Sequence, residues 1–243
     1  MSFIITVYTN EGIIMASDSR TTYSTAVQLP DGSLHTMLGV QVSDSVYKTF
    51  LCKNNVGIST CGEASINGKP ITGFIEDFIS QESKESSSVH DIAAGLINHF
   101  SAFSPVPNTT FMVAGYDKLA ATDGKTDVLQ RVYEVSVKSQ KIIPIDTSSS
   151  GATWAGEADI FQRLAQDMWL KTREGDYLCL PHYETSFNLF TLQDAINYAE
   201  YAIDVTIKTM FFQNRVKTVG GSIDILAIKP DGAFWIKRKE LHA

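Results

Sequence analysis

At 243 residues, with 44% hydrophobic and 10% aromatic content, the chain can bury a substantial core as one large domain or two small ones. A formal net charge of −7 speaks against nucleic-acid and anionic-membrane partners, because both need a basic face that attracts phosphate. The one basic cluster, Lys237-Arg238-Lys239, reads as a solvated edge or a subunit contact.

Taken in chain order, Phe3 to Thr9 alternates with β-branched residues, Asn10-Glu11-Gly12 is a hairpin turn, and Gly12 to Ser17 returns as a second strand that leaves Asp18 at its end. Thr22 to Asp44 reads as an excursion. Within it, Pro30-Asp31-Gly32 turns a long hairpin between Thr25 to Leu29 and Leu34 to Val42. A further hairpin, Val46 to Lys53 with Val56 to Cys61, turns at Asn54-Asn55.

From Ile71 the period becomes helical, with Ile71, Phe74, Ile75 and Phe78 on one face. Ser88 is an N-cap for a second helix in which Ile92, Leu96 and Phe100 align. Phe111 to Tyr116, Val128 to Val137 and Ile142 to Ile145 read as strands. Thr153 to Leu170 and Leu192 to Phe211 read as helices, and Gly221 to Ile228 with Ala233 to Lys239 closes the chain as a hairpin at Pro230-Asp231-Gly232.

No repeat, low-complexity linker or compositional break interrupts this order. The fold class expected is α+β, a four-layer αββα sandwich of two antiparallel sheets with helices outside each, in one domain over residues 1–243. Cys52, Cys61 and Cys179 are odd in number and lack metal-ligand spacing, which fits free thiols in a reducing compartment. The histidines form no HxxxH or HExxH pattern, so neither a metal nor another cofactor is expected. No basic-then-apolar leader opens the chain, and no apolar run approaches the roughly 20 residues of a membrane span. Cytoplasm is the expected address.

The chemistry concentrates at the start of the first strand. Once Met1 is removed, Ser2 offers a hydroxyl and a free α-amine on one residue, so nucleophile and general base arrive together, as in an N-terminal nucleophile hydrolase. No propeptide precedes Ser2, so ordinary Met removal before a small residue is expected to suffice.

Several segments occur in an order that resembles the proteasome β-subunit family: Ser2, Ala16-Ser17-Asp18-Ser19-Arg20, Lys48-Thr49-Phe50, Gly62, Phe111-Met112-Val113-Ala114-Gly115-Tyr116-Asp117, Ser150-Gly151 and Gly220-Gly221. The likeness spans nearly the whole chain and is closest in style to the simple bacterial relatives without a propeptide. It implies that Ser2 takes the nucleophile's place and that its amine accepts the hydroxyl proton. Lys48 is then the buried ammonium that organises proton transfer, and Asp18 keeps it charged and oriented. Arg20 fixes that loop, the Gly62 amide supplies the oxyanion hole, and Ser150, before Gly151, hydrogen-bonds the α-amine. The resemblance further implies a peptide or unfolded-protein substrate, assembly into a homo-oligomeric ring or open spiral, and an ATPase unfoldase as partner.

Plainer readings stand beside these. Asp18 and Arg20 can be a strand-end ion pair, Lys48 a solvated strand residue, and Ser150-Gly151 a cap with its turn glycine. Cys61 could act as a thiol nucleophile, although on a mid-chain strand it has no His partner. Serine lacks the methyl that restricts threonine's χ1. Asn214-Arg215-Val216-Lys217 stands where the family has an amine-supporting Asp ahead of the Gly-Gly pair, and the stretch from Thr22 to Lys48 is longer than the family pattern. A catalytically degenerate scaffold subunit and a small-molecule amidase of the same nucleophile group are the alternatives. An α-type scaffold is disfavoured, because its extra leading helix has no room before Phe3.

Overall fold

The computed structural model describes residues 2–120 and 126–240. In chain order the first elements are β1 (Phe3–Thr9), β2 (Gly12–Ser17), β3 (Thr21–Gln28), β4 (Leu34–Ser43), β5 (Thr49–Leu51), β6 (Gly57–Gly62), β7 (Ser65–Ile66) and β8 (Lys69–Pro70). Then come α1 (Ile71–Gln81), α2 (Val89–Ser101), β9 (Thr109–Ala120), β10 (Thr126–Ser136), β11 (Lys141–Pro144) and β12 (Gly151–Gly156). The last elements are α3 (Asp159–Ala165), β13 (Met168–Lys171), β14 (Tyr177–Leu180), a 3-10 turn, α4 (Leu192–Phe212), β15 (Asp224–Lys229) and β16 (Gly232–Lys237).

Two five-stranded sheets, in the orders β12-β1-β2-β15-β16 and β11-β10-β9-β6-β5, form the centre. Strand periodicity sends alternate side chains to opposite faces, and the three apolar clusters follow that rule. Phe3, Ile5 and Val7 of β1, Ile14 and Ala16 of β2, and Ile225 and Ala227 of β15 face α3 and α4, whose Ile160, Phe161, Ile196 and Ile203 cover them. Their alternates Ile4, Ile13, Met15, Leu226 and Ile228 meet Met112, Ala114 and Val132 of the second sheet. The outer face of that sheet, with Ile58, Phe111, Val113 and Val135, packs under Ile75 and Phe78 of α1 and Ile92, Leu96 and Phe100 of α2. The layers are therefore α, β, β, α, as the sequence led us to expect. Each fully buried Phe or Ile contributes about 1.5–3 kcal/mol relative to exposure.

Local chemistry sets the helix boundaries. Ser88 accepts from the Asp91 amide while the Asp91 carboxylate accepts from the Ser88 amide, closing the N-terminus of α2 reciprocally. Thr191 and Asp194 do the same for α4.

The largest departure from the sequence reading lies between residues 151 and 180. The helix expected over Thr153 to Leu170 is instead strand β12, a short α3 and the β13-β14 hairpin. Apolar spacing at Ile160 and Leu164 is genuine helical periodicity, but Thr153 and Trp154 suit a pleated strand, and the open edge of β1 captures Gly151–Gly156. The strand expected over Val46 to Lys53 contracts to Thr49–Leu51, placing Lys48 just ahead of it.

Candidate active site

Asp18 is the hub of the site. It follows β2 and is 0% exposed, and both of its oxygens are engaged. Oδ1 accepts from the Phe3 amide at 3.1 Å and from the Lys48 ammonium at 2.8 Å. Oδ2 accepts from the amides of Arg20 at 3.1 Å and Gly220 at 3.0 Å. A buried carboxylate needs this many donors to offset its lost hydration. The same Lys48 ammonium donates to the Arg20 carbonyl, and its side chain is 3% exposed. Burial pushes the Lys48 pKa down, and the adjacent Asp18 charge opposes that shift.

Arg20 turns its guanidinium away from this pair and forks onto Asp44, with both nitrogen–oxygen distances 2.6 Å. Gly220 packs flat against that guanidinium, where a Cβ would lie 2.6 Å from the Arg20 Cζ. Ser19 completes the junction by donating its hydroxyl to the Ser222 carbonyl at 2.6 Å. The loop after β2 is thus tied to the Gly220-Gly221 segment through backbone and side chain together.

Ser2 is 7% exposed and stands immediately before β1. Its carbonyl accepts from the Glu157 amide at 2.8 Å, and the adjoining Phe3 amide is held by Asp18. Ser2, Thr21, Lys48, Thr60, Cys61 and Gly62 line a cleft of about 20 Å³, enough for a single water. Gly62 has φ of +110°, and a Cβ there would fall 2.4 Å from the Asn108 carbonyl oxygen, so only glycine fits this turn out of β6.

Ser2, Asp18, Lys48 and Gly62 therefore come together, with Arg20 on the outer side of Asp18. Ser150 and Gly151 do not join them. Gly151 pairs with Tyr8 at the opposite end of β1, while Gly156 pairs with Phe3 beside Ser2. At about 3.3 Å per residue, that register puts Ser150 some 20 Å from Ser2. The turn that leads into a helix next to Ser2 is Gly156-Glu157, six residues later than the Ser150-Gly151 reading placed it. A Cβ on Gly156 would sit 1.9 Å from the Ser2 carbonyl oxygen, which explains glycine there. The sequence signal was present, a glycine closing an alternating run just before Ile160 and Phe161, but it was hidden inside a segment read as helix. The Asn214 to Lys217 region contributes Arg215, which bonds Glu157 and, at 2.8 Å, Asp159.

Cys61 faces the core between the sheets, and burial pushes its thiol up to about 12. At pH 8 such a thiol is about one part in ten thousand thiolate, far from a working nucleophile. Iodoacetamide at that pH is expected to label the part-exposed Cys179 well ahead of Cys61, with Cys61 reacting only in denaturant, as peptide mass spectrometry would read. Among the described residues no group of three or more His, Cys, Asp and Glu is placed to hold a metal, and no helix is long and apolar enough to cross a membrane. Met1, whose removal the reading of Ser2 requires, lies outside the described residues.

No family model matches the chain, and no curated protein does. Solved structures do. Anbu from Hyphomicrobium sp. strain MC1 is similar at 12% identity and a TM-score of 0.56, over 98% of this chain and 88% of that one. A Gly-1 mutant of the same protein gives 12% identity and a TM-score of 0.59 over 98% and 86%. Anbu from Yersinia bercovieri, described as an ancestral β-subunit, gives 13% identity and 0.55 over 96% and 86%. At such identities the likeness establishes the architecture: this is a proteasome-like N-terminal nucleophile fold.

Proposed function

We propose that this proteasome-like N-terminal nucleophile fold is a peptidase whose nucleophile is Ser2, uncovered by removal of Met1. The observation that carries the reading is the shared oxygen of Asp18, which holds the backbone at the start of β1 and the buried Lys48 ammonium at once. A strand-end ion pair has no need of either burial or a cleft. Here the pair is sealed from water and lies against the cleft that Ser2 lines.

In this reading the Ser2 α-amine takes the hydroxyl proton, directly or through water, as Oγ attacks the substrate carbonyl. Lys48 supplies positive charge beside the developing oxyanion and stays oriented by Asp18. Along β6 the Thr60 amide donates to the Lys48 carbonyl at 2.9 Å. Alternation turns the Gly62 amide to the same side, beyond the start of β5, where it can meet an oxyanion. The protonated amine then delivers its proton to the leaving peptide nitrogen, and water releases the ester on Ser2 with the amine again as base. Peptide or unfolded protein is the substrate, homo-oligomeric assembly encloses the sites, and an ATPase unfoldase feeds them.

The scaffold alternative draws on one observation, the salt bridge of Arg215 to Glu157, which leaves a cation where an amine-supporting carboxylate is expected. Intact-mass measurement followed by treatment with a β-lactone separates the two. Protein that begins at Ser2 is expected to gain one inhibitor mass, localised to residue 2, and to cleave fluorogenic peptides. Processed protein that takes up no adduct and cleaves nothing is a scaffold.

A further inference from the structure

Helix α3 begins without help from a capping side chain. Ala158, the residue ahead of Asp159, has neither hydroxyl nor carboxylate to offer the first amides of the helix. Yet the turn it stands in holds the residue before β1, since the Glu157 amide donates to the Ser2 carbonyl at 2.8 Å. What holds the turn comes from a distant part of the chain. Arg215, just past the end of α4, places Nη1 2.8 Å from Asp159 Oδ2 and donates through Nη2 to Glu157 Oε1. Its guanidinium bridges two carboxylates on either side of Ala158, a geometry that suits a planar fork better than a point charge. The Glu157 side chain is 14% exposed, so its carboxylate has little water to turn to in place of Arg215. Further along the same connection, Gly220 donates its amide to Asp18 Oδ2 at 3.0 Å and accepts from the Ser19 amide at 3.0 Å. Between the two anchors Val219 is buried in the apolar cluster beneath α3 and α4.

We propose that Arg215 is a positioning residue for Ser2: by clamping Glu157 and Asp159 it fixes the amide that holds the Ser2 carbonyl, and so the direction in which residue 2 meets the cleft. The catalytic consequence rests on Ser2 being the nucleophile; the clamp itself does not. The Ser2 carbonyl and the Phe3 amide belong to one peptide unit, and each has a single partner, Glu157 for the oxygen and Asp18 for the N–H. The connection from α4 to β15 secures both partners, Glu157 through Arg215 and Asp18 through Gly220. With the guanidinium gone, two like charges flank Ala158 and swing outward to water, and the Glu157 amide moves with them. A shift of the order of 1 Å at a reacting residue costs about 10²-fold in turnover, because the reacting atoms must meet within a narrow range of distance and angle. The cation that favours the scaffold alternative therefore has a task in the hydrolase reading as well.

The test uses full-length protein shown by mass to begin at residue 2, with amide hydrogen exchange read residue by residue by NMR. In Arg215→Met, exchange at the Glu157 amide is expected to quicken by about 10-fold or more, while the amides of Ile5 and Val7 inside β1 stay within about twofold of the parent. On fluorogenic peptides the same variant is expected to lose about 10-fold to 100-fold in kcat with KM within about threefold, and Arg215→Lys, which keeps the charge without the fork, to recover part of the loss. Unchanged Glu157 exchange in folded Arg215→Met overturns the proposal. So does a rise of similar size throughout β1 and β2, which marks Arg215 as a contributor to stability alone, and so does a loss confined to KM. Should Arg215→Met fail to fold, Glu157→Met, which keeps the amide bonded to Ser2 and removes one acceptor of Arg215, carries the same expectation and the same refutation. No turnover in any protein, the parent included, counts against the hydrolase reading and leaves the clamp to be judged by the exchange rates.

Discussion

Replacing Asp18 by Ala is expected to cost on the order of 5 kcal/mol of stability and to lower the melting temperature by roughly 10–20 °C, as seen by calorimetry or circular dichroism. The size follows from what the carboxylate satisfies. Its removal leaves the amides of Phe3, Arg20 and Gly220 and the ammonium of Lys48 without their acceptor in a fully buried place. Each stranded amide costs about 1–3 kcal/mol, and an orphaned buried charge costs more. Lys48→Met makes the contrast. It removes one donor of four and leaves Asp18 with its three amide bonds, so its melting temperature is expected to fall less than that of Asp18→Ala, while peptide cleavage falls as far. Equal melting of the two variants would show that Asp18 serves only as the lysine's counter-charge and does not organise the backbone.

Ser2→Ala is expected to leave the fold within about 1 kcal/mol of the parent, because the bonds to residue 2 run through its main chain. Peptide hydrolysis, in contrast, is expected to drop by about 10⁴-fold or more, the scale on which loss of a serine nucleophile acts in hydrolases, and β-lactone labelling is expected to vanish. Ser2→Thr restores a hydroxyl at the same place and is expected to recover labelling. Hydrolysis by Ser2→Ala at the parent rate, measured on protein shown by mass to begin at residue 2, would remove Ser2 from the chemistry and point to another group in the cleft or to a contaminant.

The layered fold was legible because its signals are local and repeated. Alternation in Phe3 to Thr9 and Gly12 to Ser17, the cap at Ser88 and the helical spacing from Ile71 each fix an element with no help from elsewhere, and the structure keeps all of them. The segment after Ser150 was misread because its outcome is tertiary. Whether Thr153 and Trp154 lie in a helix or a strand depends on the vacant edge of β1, which no window of sequence contains. The same limit governed the site. Asp18 and Lys48 were paired only through the resemblance to the proteasome β-subunit family, since residue types alone equally allowed an Asp18-Arg20 pair and a solvated Lys48; the structure joins Asp18 to Lys48 and sends Arg20 to Asp44. The displacement of the tethering turn to Gly156-Glu157, and the inward turn of Lys239 onto Asp224, depend on strand register and on a contact between residues far apart in the chain.

The residue just ahead of a terminal strand ordinarily frays, because few neighbours hold it. In this protein β1 is zipped to β12 on one flank and to β2 on the other, and the bonds at the Ser2 carbonyl and the Phe3 amide extend that zipper to its last tooth. A serine hung from so stiff a support has little room to wander. If Ser2 is the nucleophile as proposed, sheet rigidity supplies the aim that a branched side chain would otherwise give, and a smaller, less constrained hydroxyl suffices at the head of the strand.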